Sequence, residues 1–567
     1  MKTYEEMERE AIQNEHLLRK RVVQRAKPEE DPRPVIRLGP ELHEIVDHAI
    51  TALRADADLY QRDGSLVHVT RVDGEANTDD SKEDRRILAA GTPQIRRMAL
   101  ATLRERLTRA ARWERLDKRN GKWQRIIPTD QIVQAVLNRG EWAGIRPIVG
   151  MIETPALRPD GSIISTPGYD AATGFLYLPN SEYPPVSEAP SQEDARRAWA
   201  ELFECFAEFP YKSEAHRSTA IAAILTLIAR PAIQGSVPAF LFDAAAAGSG
   251  KTLQTDAASL VATGRTSAKM GYPADNTELE KVLGAYAIRG TALINFDNVN
   301  RPFGGGPLDR CLTAEDTVEL RILGKSEIPA LRWRSVIITT GNNITVSGDT
   351  TRRVLFARIE SDLENPEDRT GFKHEDLLAW IRAERPRLVC AALTLLRAFF
   401  VAGQPRGGCK TWGSFEPWAR LIPPAIVFAG GADPMLTRPS VEGEEDEEKQ
   451  ALAVILRHWP RLDATGAGIT AKTAVGVLYP VERLRGQQLP PDGFDDLREA
   501  IETMVPTKPG TAPDPRRLGN EFAARRARVV GGRKLVSEGA GKGVKRWKVV
   551  TVPPRQQAAT DAPPHGS

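Results

Sequence analysis

One stretch, VPAFLFDAAAAGSGKTLQTDAASLVATGR from Val237 to Arg265, restricts the possible folds of this chain more than any other. The run Pro238 to Phe242 is apolar enough for a strand buried on both faces, a small-residue loop follows, and a helix-forming segment comes next. The loop ends in Gly248-Ser249-Gly250-Lys251-Thr252, which is the layout of a P-loop. In such a loop, backbone N–H groups surround phosphate oxygens at the positive end of a helix, a lysine reaches the β and γ phosphates, and a hydroxyl binds Mg²⁺. Gly248, Ser249, Gly250, Lys251 and Thr252 are therefore the candidate nucleotide-binding residues, with Lys251 also catalytic and Thr252 also a metal ligand. Ala245 stands where the pattern G-x-x-x-x-G-K-[ST] opens on glycine, so a glycine-only conformation is not available there. The competing reading is a small-residue turn that packs a helix on a sheet.

Further buried strands are expected beside this one. After a helix over Asn276 to Tyr286, ended by Gly290, the run ALINFDNVN leads into Asp297. An acid at a strand's end can hold Mg²⁺ or its water beside the P-loop threonine, making Asp297 a catalytic and metal candidate. An ordinary strand ending in an Asx-turn is the alternative. Val336 to Thr340 is a third apolar run, delivering Asn342 and Asn343. An amide at the end of a strand lying between the other two can orient an attacking water or sense the γ-phosphate. Arg352 and Arg353 then precede the apolar strand Val354 to Ile359. A guanidinium reaching a neighbouring subunit's γ-phosphate stabilises transition-state charge; surface ion pairs are the alternative. Glu315 to Pro329 alternates apolar and polar residues around Gly324-Lys325, the pattern of a β-hairpin with a lysine at its tip.

The remaining chain is organised around this block. At 567 residues there is room for roughly three or more domains. A net charge of +3 demands neither nucleic acid nor membrane, so local asymmetry carries the information. Cys205, Cys311, Cys390 and Cys409 are scattered without metal-ligand spacing, which argues against a zinc ribbon or a disulfide framework. The charged N-terminus lacks an apolar signal core and no stretch is long and apolar enough to span a bilayer, so a cytoplasmic protein without membrane attachment is expected. Residues 1–34 read as a flexible charged arm, 35–190 as an α+β domain, 191–236 as a helical lead-in and 237–365 as the ATPase core. Residues 366–441 read as a helical segment, 442–552 as a winged-helix-like DNA-binding domain and 553–567 as a disordered tail.

Two regions are strongly basic. In ARWERLDKRNGKWQRI, a hairpin bearing Trp113 and Trp123 among arginines and lysines, interleaved aromatics and cations can stack bases and hold phosphates; a merely solvated face is the alternative. Toward the C-terminus, three short helical patterns precede a fourth over Pro515 to Val529, followed by two strands around a glycine-rich turn. Arg516, Arg517, Arg525, Arg526, Arg528, Lys545 and Arg546 give this end the charge of a DNA-binding face, against a protein-docking wing.

Taken in order, GSGKT, the apolar run to Asp297-Asn298, the hairpin with Lys325, the strand ending in Gly341-Asn342-Asn343 and Thr351-Arg352-Arg353 resemble the AAA+ superfamily 3 helicases of phage, satellite and integrated-element primase-helicases. The resemblance extends over about residues 35 to 552, including GYDAATGFLY, and is strongest from 237 to 362. It implies an α/β P-loop AAA+ core with an α+β N-terminal region and a C-terminal winged-helix-like domain. It also implies a hexameric ring that hydrolyses ATP with Mg²⁺ between subunits and moves along single-stranded DNA. In that scheme Lys325 grips the strand in the pore, Asn342 is the sensor, and Arg352 or Arg353 is the arginine finger. Ala245 and Asn298 depart from the family pattern, the latter standing where a second acid is common. No primase-polymerase domain is recognisable, so a separate primase is expected. The alternative function is a nucleotide-gated origin-binding initiator that binds duplex DNA without unwinding it.

Overall fold

The computed structural model describes residues 31–72, 91–245, 248–321, 328–361, 369–439, 441–480, 493–507, 511–526, 528–539 and 545–552. The chain is a mixed α/β protein that divides into two compact units, Met1–Arg438 and Pro439–Ser567.

In the first unit, β1 (Val35–Leu38) leads into α1 (Leu42–Leu53), whose Ile45, Val46, Ala49, Ile50 and Leu53 recur at helical spacing and are buried. Next come β2 (Tyr60–Arg62), β3 (Ser65–Arg71), β4 (Pro93–Arg97) and α2 (Leu100–Ala110). The basic tryptophan region forms the antiparallel pair β5 (Arg112–Asp117) and β6 (Lys122–Arg125), with Gly121 at φ +66° in its turn, and α3 (Asp130–Leu137) follows. Strands order as β1-β5-β6 in one sheet. Its inner side buries Ile36 and Trp113 in one core with all three helices, and the Trp113 indole donates to Leu107 O at 2.9 Å.

Six short strands follow: β7 (Arg146–Pro147), β8 (Gly150–Ile152), β9 (Ala156–Leu157), β10 (Ile163–Ile164), β11 (Gly168–Asp170) and β12 (Phe175–Tyr177). β7 completes the sheet β4-β3-β2-β7, and the rest form small pairings. Helix α4 (Gln192–Glu204) starts at a capping box of Ser191 and Asp194. Helix α5 (Glu214–Ile228) is apolar on nearly every side and correspondingly buried.

The remaining elements of this unit are β13 (Ala239–Ala244), α6 (Lys251–Thr263), β14 (Lys269–Gly271), α7 (Asn276–Arg289), β15 (Leu293–Val299), α8 (Gly306–Leu312), β16 (Thr317–Glu319), β17 (Ala330–Arg332), β18 (Val336–Asn342), β19 (Val354–Ile359), α9 (Leu377–Val401) and α10 (Glu416–Phe428). Five strands form one parallel sheet in the order β14-β15-β18-β13-β19. Alternate residues serve two cores: Phe240 and Phe242 meet α5, α6, α9 and α10 on one face, while Ala239 and Leu241 meet α7 and α8 on the other. Burial on both faces explains why these strands read as continuous apolar runs rather than alternating ones.

The second unit contains α11 (Val441–Leu462), β20 (Ile469–Thr470), α12 (Ala471–Leu478), α13 (Asp495–Met504), α14 (Pro515–Arg525), β21 (Arg533–Gly539) and β22 (Lys545–Thr551). Its sheet orders β20-β22-β21, all antiparallel, over a core centred on Trp459, Phe522 and Trp547. The expected helix over Pro515 to Val529 is shorter. It ends at Arg525, because Val530 pairs with Arg533 across Gly531 and Gly532, whose φ of +56° and +71° turn the chain into β21.

Candidate functional site

All five parallel strands point the same way, so the segments leaving their carboxyl ends gather at one edge of the sheet. There β13 passes into the loop and α6 starts at Lys251. Gly248 (φ +70°) and Gly250 (φ +88°) occupy left-handed conformations that cost a glycine little, and such turns aim successive N–H groups into a concavity. A Cβ added to Gly250 would also lie 3.0 Å from the Phe209 ring. Ala245 is not among the described non-glycine residues with positive φ, so its backbone needs no glycine. Lys251 is half-buried and donates to Ser249 Oγ at 3.1 Å. Burial lowers its pKa, and the nearby Asp243 carboxylate works in the opposite direction.

Thr340 ties the two strands that matter most. The pairing of β15 with β18 slips between Phe296 and Val299, a bulge at Asp297 and Asn298. Thr340 Oγ1 fills it, donating to Asp297 Oδ1 at 2.6 Å and accepting the Asn298 N–H at 2.9 Å. Asn298 has φ +54° and is exposed, a backbone state asparagine tolerates better than most residues. Two residues before Asp297, Asn295 donates to Ser267 Oγ at 2.7 Å and Thr255 Oγ1 at 3.4 Å, which fastens β15 to the first turns of α6, the helix that carries Thr252.

The asparagines of β18 separate cleanly. Ala244 pairs with Asn342, which places this residue beside the start of the loop, between β13 and β15. Asn342 is exposed, and among the described residues no hydrogen bond occupies its amide. Asn343, at φ +48°, instead accepts from Arg358 at 3.0 Å. Arg358 lies at the carboxyl end of β19 and also pairs with Asp243 at 3.0 Å. Asp243 is fully buried at the end of β13 and accepts the Ile344 N–H at 2.9 Å. Burial raises its pKa, opposed by the Ile344 N–H and then by Arg358. Neither Asp243 nor Arg358 was singled out from the sequence. An acid inside FLFDA and an arginine inside VLFARIE, each breaking an apolar strand, were the available signals.

Arg352 and Arg353 lie elsewhere. They end the 3-10 turn Gly348–Arg353 just ahead of β19, and Val354 pairs with Ala239 at the amino end of β13. Five residue steps, about 17 Å at ~3.3 Å each, separate that level from Ala244 and the loop. The two arginines also differ from each other. Arg353 is largely enclosed and ion-paired with Asp309, which Thr350 Oγ1 also contacts at 2.7 Å, whereas Arg352 is 60% exposed and, among the described residues, ion-paired with Asp349 alone.

Lys325 lies outside the described residues. The ladder that flanks it is present as β16 and β17, whose paired positions are equidistant in sequence from the Gly324-Lys325 junction. In the second unit, Arg516 and Arg517 are exposed on the first turn of α14, their N–H groups capped by Asp514 at 2.7 and 2.9 Å. Arg526 is exposed at the helix end, and Lys545 and Arg546 are exposed on β22. Arg525 is instead half-buried against Glu521, and Arg528 falls beyond the shortened helix.

Among the described residues no helix is long and apolar enough to cross a membrane. No family model matches the chain, and no curated protein matches it. Similar solved structures include the apo A form of the NrS-1 C-terminal region, at 13% identity over 81% of this chain and 94% of that one, with a TM-score of 0.31. JCV helicase is another, at 14% identity over 46% and 64%, TM-score 0.19. A JCV helicase with a small molecule bound gives 12% over 42% and 67%, TM-score 0.18. Likenesses of this size carry no weight for fold or function.

Proposed function

We propose that this chain is an ATP-dependent DNA helicase or translocase for replication of a phage or mobile genetic element, working as a ring that hydrolyses ATP between subunits around single-stranded DNA. The observation that carries the reading is the placement of Arg352 at the edge of the sheet opposite the loop. Within one copy it is too far from Lys251 to share a ligand, so a site using both is completed by a neighbour.

The loop fits a nucleotide. Gly248 and Gly250 form the turns, α6 begins at Lys251, and the lysine donates to Ser249 Oγ within the loop. Lys251 would neutralise the β and γ phosphates, and Thr252 with Asp297 would hold Mg²⁺, which supplies electrophilic assistance to phosphoryl transfer. Thr340 would keep Asp297 oriented, and Asn342 would position the attacking water. Arg352, rather than the enclosed Arg353, would be the finger.

The strand order with β18 between β13 and β15 supports an AAA+ core of the superfamily 3 type. The arrangement α11-β20-α12-α13-α14-β21-β22, with β22 central, supports a winged helix carrying one additional helix, whose Arg516, Arg517, Lys545 and Arg546 would meet duplex DNA. Asn298, exposed beside Asp297 without a carboxylate, favours the second reading, a nucleotide-gated initiator that binds an origin without unwinding it.

An ATPase and strand-displacement assay on forked DNA decides between them. Turnover with unwinding, both lost in Lys251→Ala, is the expected result; nucleotide-dependent duplex binding without displacement selects the initiator. Lys325→Ala is expected to spare basal turnover and uncouple it from unwinding, so full unwinding by that variant would remove Lys325 from the pore.

A further inference from the structure

The geometry points to a second single-stranded DNA contact on the first unit, away from the nucleotide loop: the outer face of the sheet β1-β5-β6 is a base-stacking platform with Trp123 as its ring. The inference rests on the reading of this chain as a DNA-acting enzyme and specifies a surface that reading does not include.

Strand alternation sorts the region's two tryptophans. Ile36 pairs with Trp113 and both are 2% exposed, so those positions face the helices. The intervening positions therefore face outward. Leu116 on β5 is directly opposite Trp123 on β6, and each is 41% exposed. One step beyond the pairing of Glu114 with Arg125, Ile126 donates its N–H to Trp113 O, which leaves Ile127 outward and 65% exposed. On β1, Arg37 reaches across the sheet with its guanidinium 4.7 Å from the Trp123 ring centroid and 3.4 Å from Glu114. That contact holds the indole against the sheet rather than leaving it to swing.

Charge names the occupant. Between Arg112 and Arg125 the hairpin carries six cations against two acids. Lys118 and Arg119 are exposed at its turn, and Arg125, on the same outward side of β6 as Trp123, is exposed with Asp31 at 3.6 Å. An apolar protein partner would use Leu116, Trp123 and Ile127 and leave Lys118 and Arg119 at the turn unmatched. A duplex would use the cations and offer no free base to the ring. A single strand satisfies both, with bases stacked on Trp123 and phosphates along the lysine and arginine rim.

The test uses the full chain and labelled oligo(dT), read by anisotropy and by photo-crosslinking of an iodouracil-substituted strand. Trp123→Ala is expected to weaken binding on the order of tenfold, with Trp123→Phe recovering most of it, adducts on the peptide containing Trp123, and basal ATP turnover unchanged. Unchanged affinity with adducts elsewhere overturns the platform, as does a change in association state without loss of DNA affinity, which would make the face a contact between copies. An oligo(rU) arm that binds while oligo(dT) does not overturns the assignment to DNA. Absence of both ATP turnover and single-strand binding in the unsubstituted protein would instead remove the helicase reading, and the platform with it.

Discussion

Thr340 Oγ1 donates to the Asp297 carboxylate at 2.6 Å and accepts the neighbouring Asn298 N–H at 2.9 Å, so a single hydroxyl fixes both residues of the bulge in β15. Replacing it by an isosteric methyl tests what the bond does. Thr340→Val leaves the part-buried Asn298 N–H and the Asp297 carboxylate without this partner, a loss of about 1–3 kcal/mol. Turnover is expected to fall roughly tenfold or more for the same free energy, with the midpoint of thermal unfolding only modestly lower. Wild-type turnover in this variant would show that Asp297 does not need to be held.

The arginines of the 3-10 turn give opposite expectations. Arg352→Ala should fold normally and lose most ATP turnover. Arg353→Ala removes the cation from a largely enclosed ion pair, leaving Asp309 with the Thr350 hydroxyl, and should lower stability by about 1–3 kcal/mol. Mixing Arg352→Ala with Lys251→Ala copies should recover part of the activity, because some interfaces then pair an intact loop with an intact finger. Calorimetry and turnover of the mixtures check both statements; no recovery at any ratio would argue against a shared site.

His216, on α5, sits against β19, with Nδ1 2.7 Å from Phe356 O and 3.2 Å from the Arg358 N. Lys212, Glu360 and Arg358 are the charges around it, and burial, the largest effect, lowers its pKa below the ordinary 6.5. A lowered histidine value means the unfolded chain binds the proton more readily. Stability is therefore retained above 6.5 and declines as the pH falls through that value toward the folded one. His216→Gln should flatten this part of the profile, measured as unfolding midpoint against pH between neutrality and mild acid. An unchanged slope would place the acid sensitivity in another group.

Nucleotide affinity should carry the opposite pH signature. Lys251 is protonated less readily than an ordinary lysine because it is half-buried. ATP binding should weaken as the pH rises toward 10.5, earlier than an unperturbed lysine would allow, and Lys251→Arg should shift the decline upward. Equilibrium binding of a fluorescent ATP analogue across alkaline pH checks it.

Duplex affinity should divide the basic residues of the second unit by exposure. Arg516→Ala with Arg517→Ala should weaken duplex binding and reduce the salt slope by about one per lost phosphate contact. Arg525→Ala should act through stability instead, since its guanidinium is half-buried against Glu521. Equal losses of affinity from both would contradict this division.

Four of the five strands of the parallel sheet were legible because they are apolar on both faces, and polar residues at their ends stood out against that background; the short β14 was not. Asp297 and Asn342 were visible for this reason. Position across the sheet was harder to read. Arg352 and Arg353 are adjacent in sequence, and only tertiary packing, Asp309 against one and solvent against the other, distinguishes them. Asp243 and Arg358 went unnoticed because each lies inside a strand whose apolar neighbours dominate the pattern; their pairing depends on β13 lying beside β19, which no local signal encodes. The length of α14 was overestimated because arginine and alanine favour a helix, while the Gly531-Gly532 turn that ends the run acts from downstream.

A parallel sheet has two unlike ends, with Lys251 near one and Arg352 near the other. On the proposed reading, copies therefore join head to tail, each presenting to its neighbour a surface different from the one it receives. Such a contact closes only when the rotation from one copy to the next divides a full turn; otherwise it winds into an open helix. A substitution that tilts this junction slightly could thus leave every loop and finger chemically intact and still convert a ring into a filament.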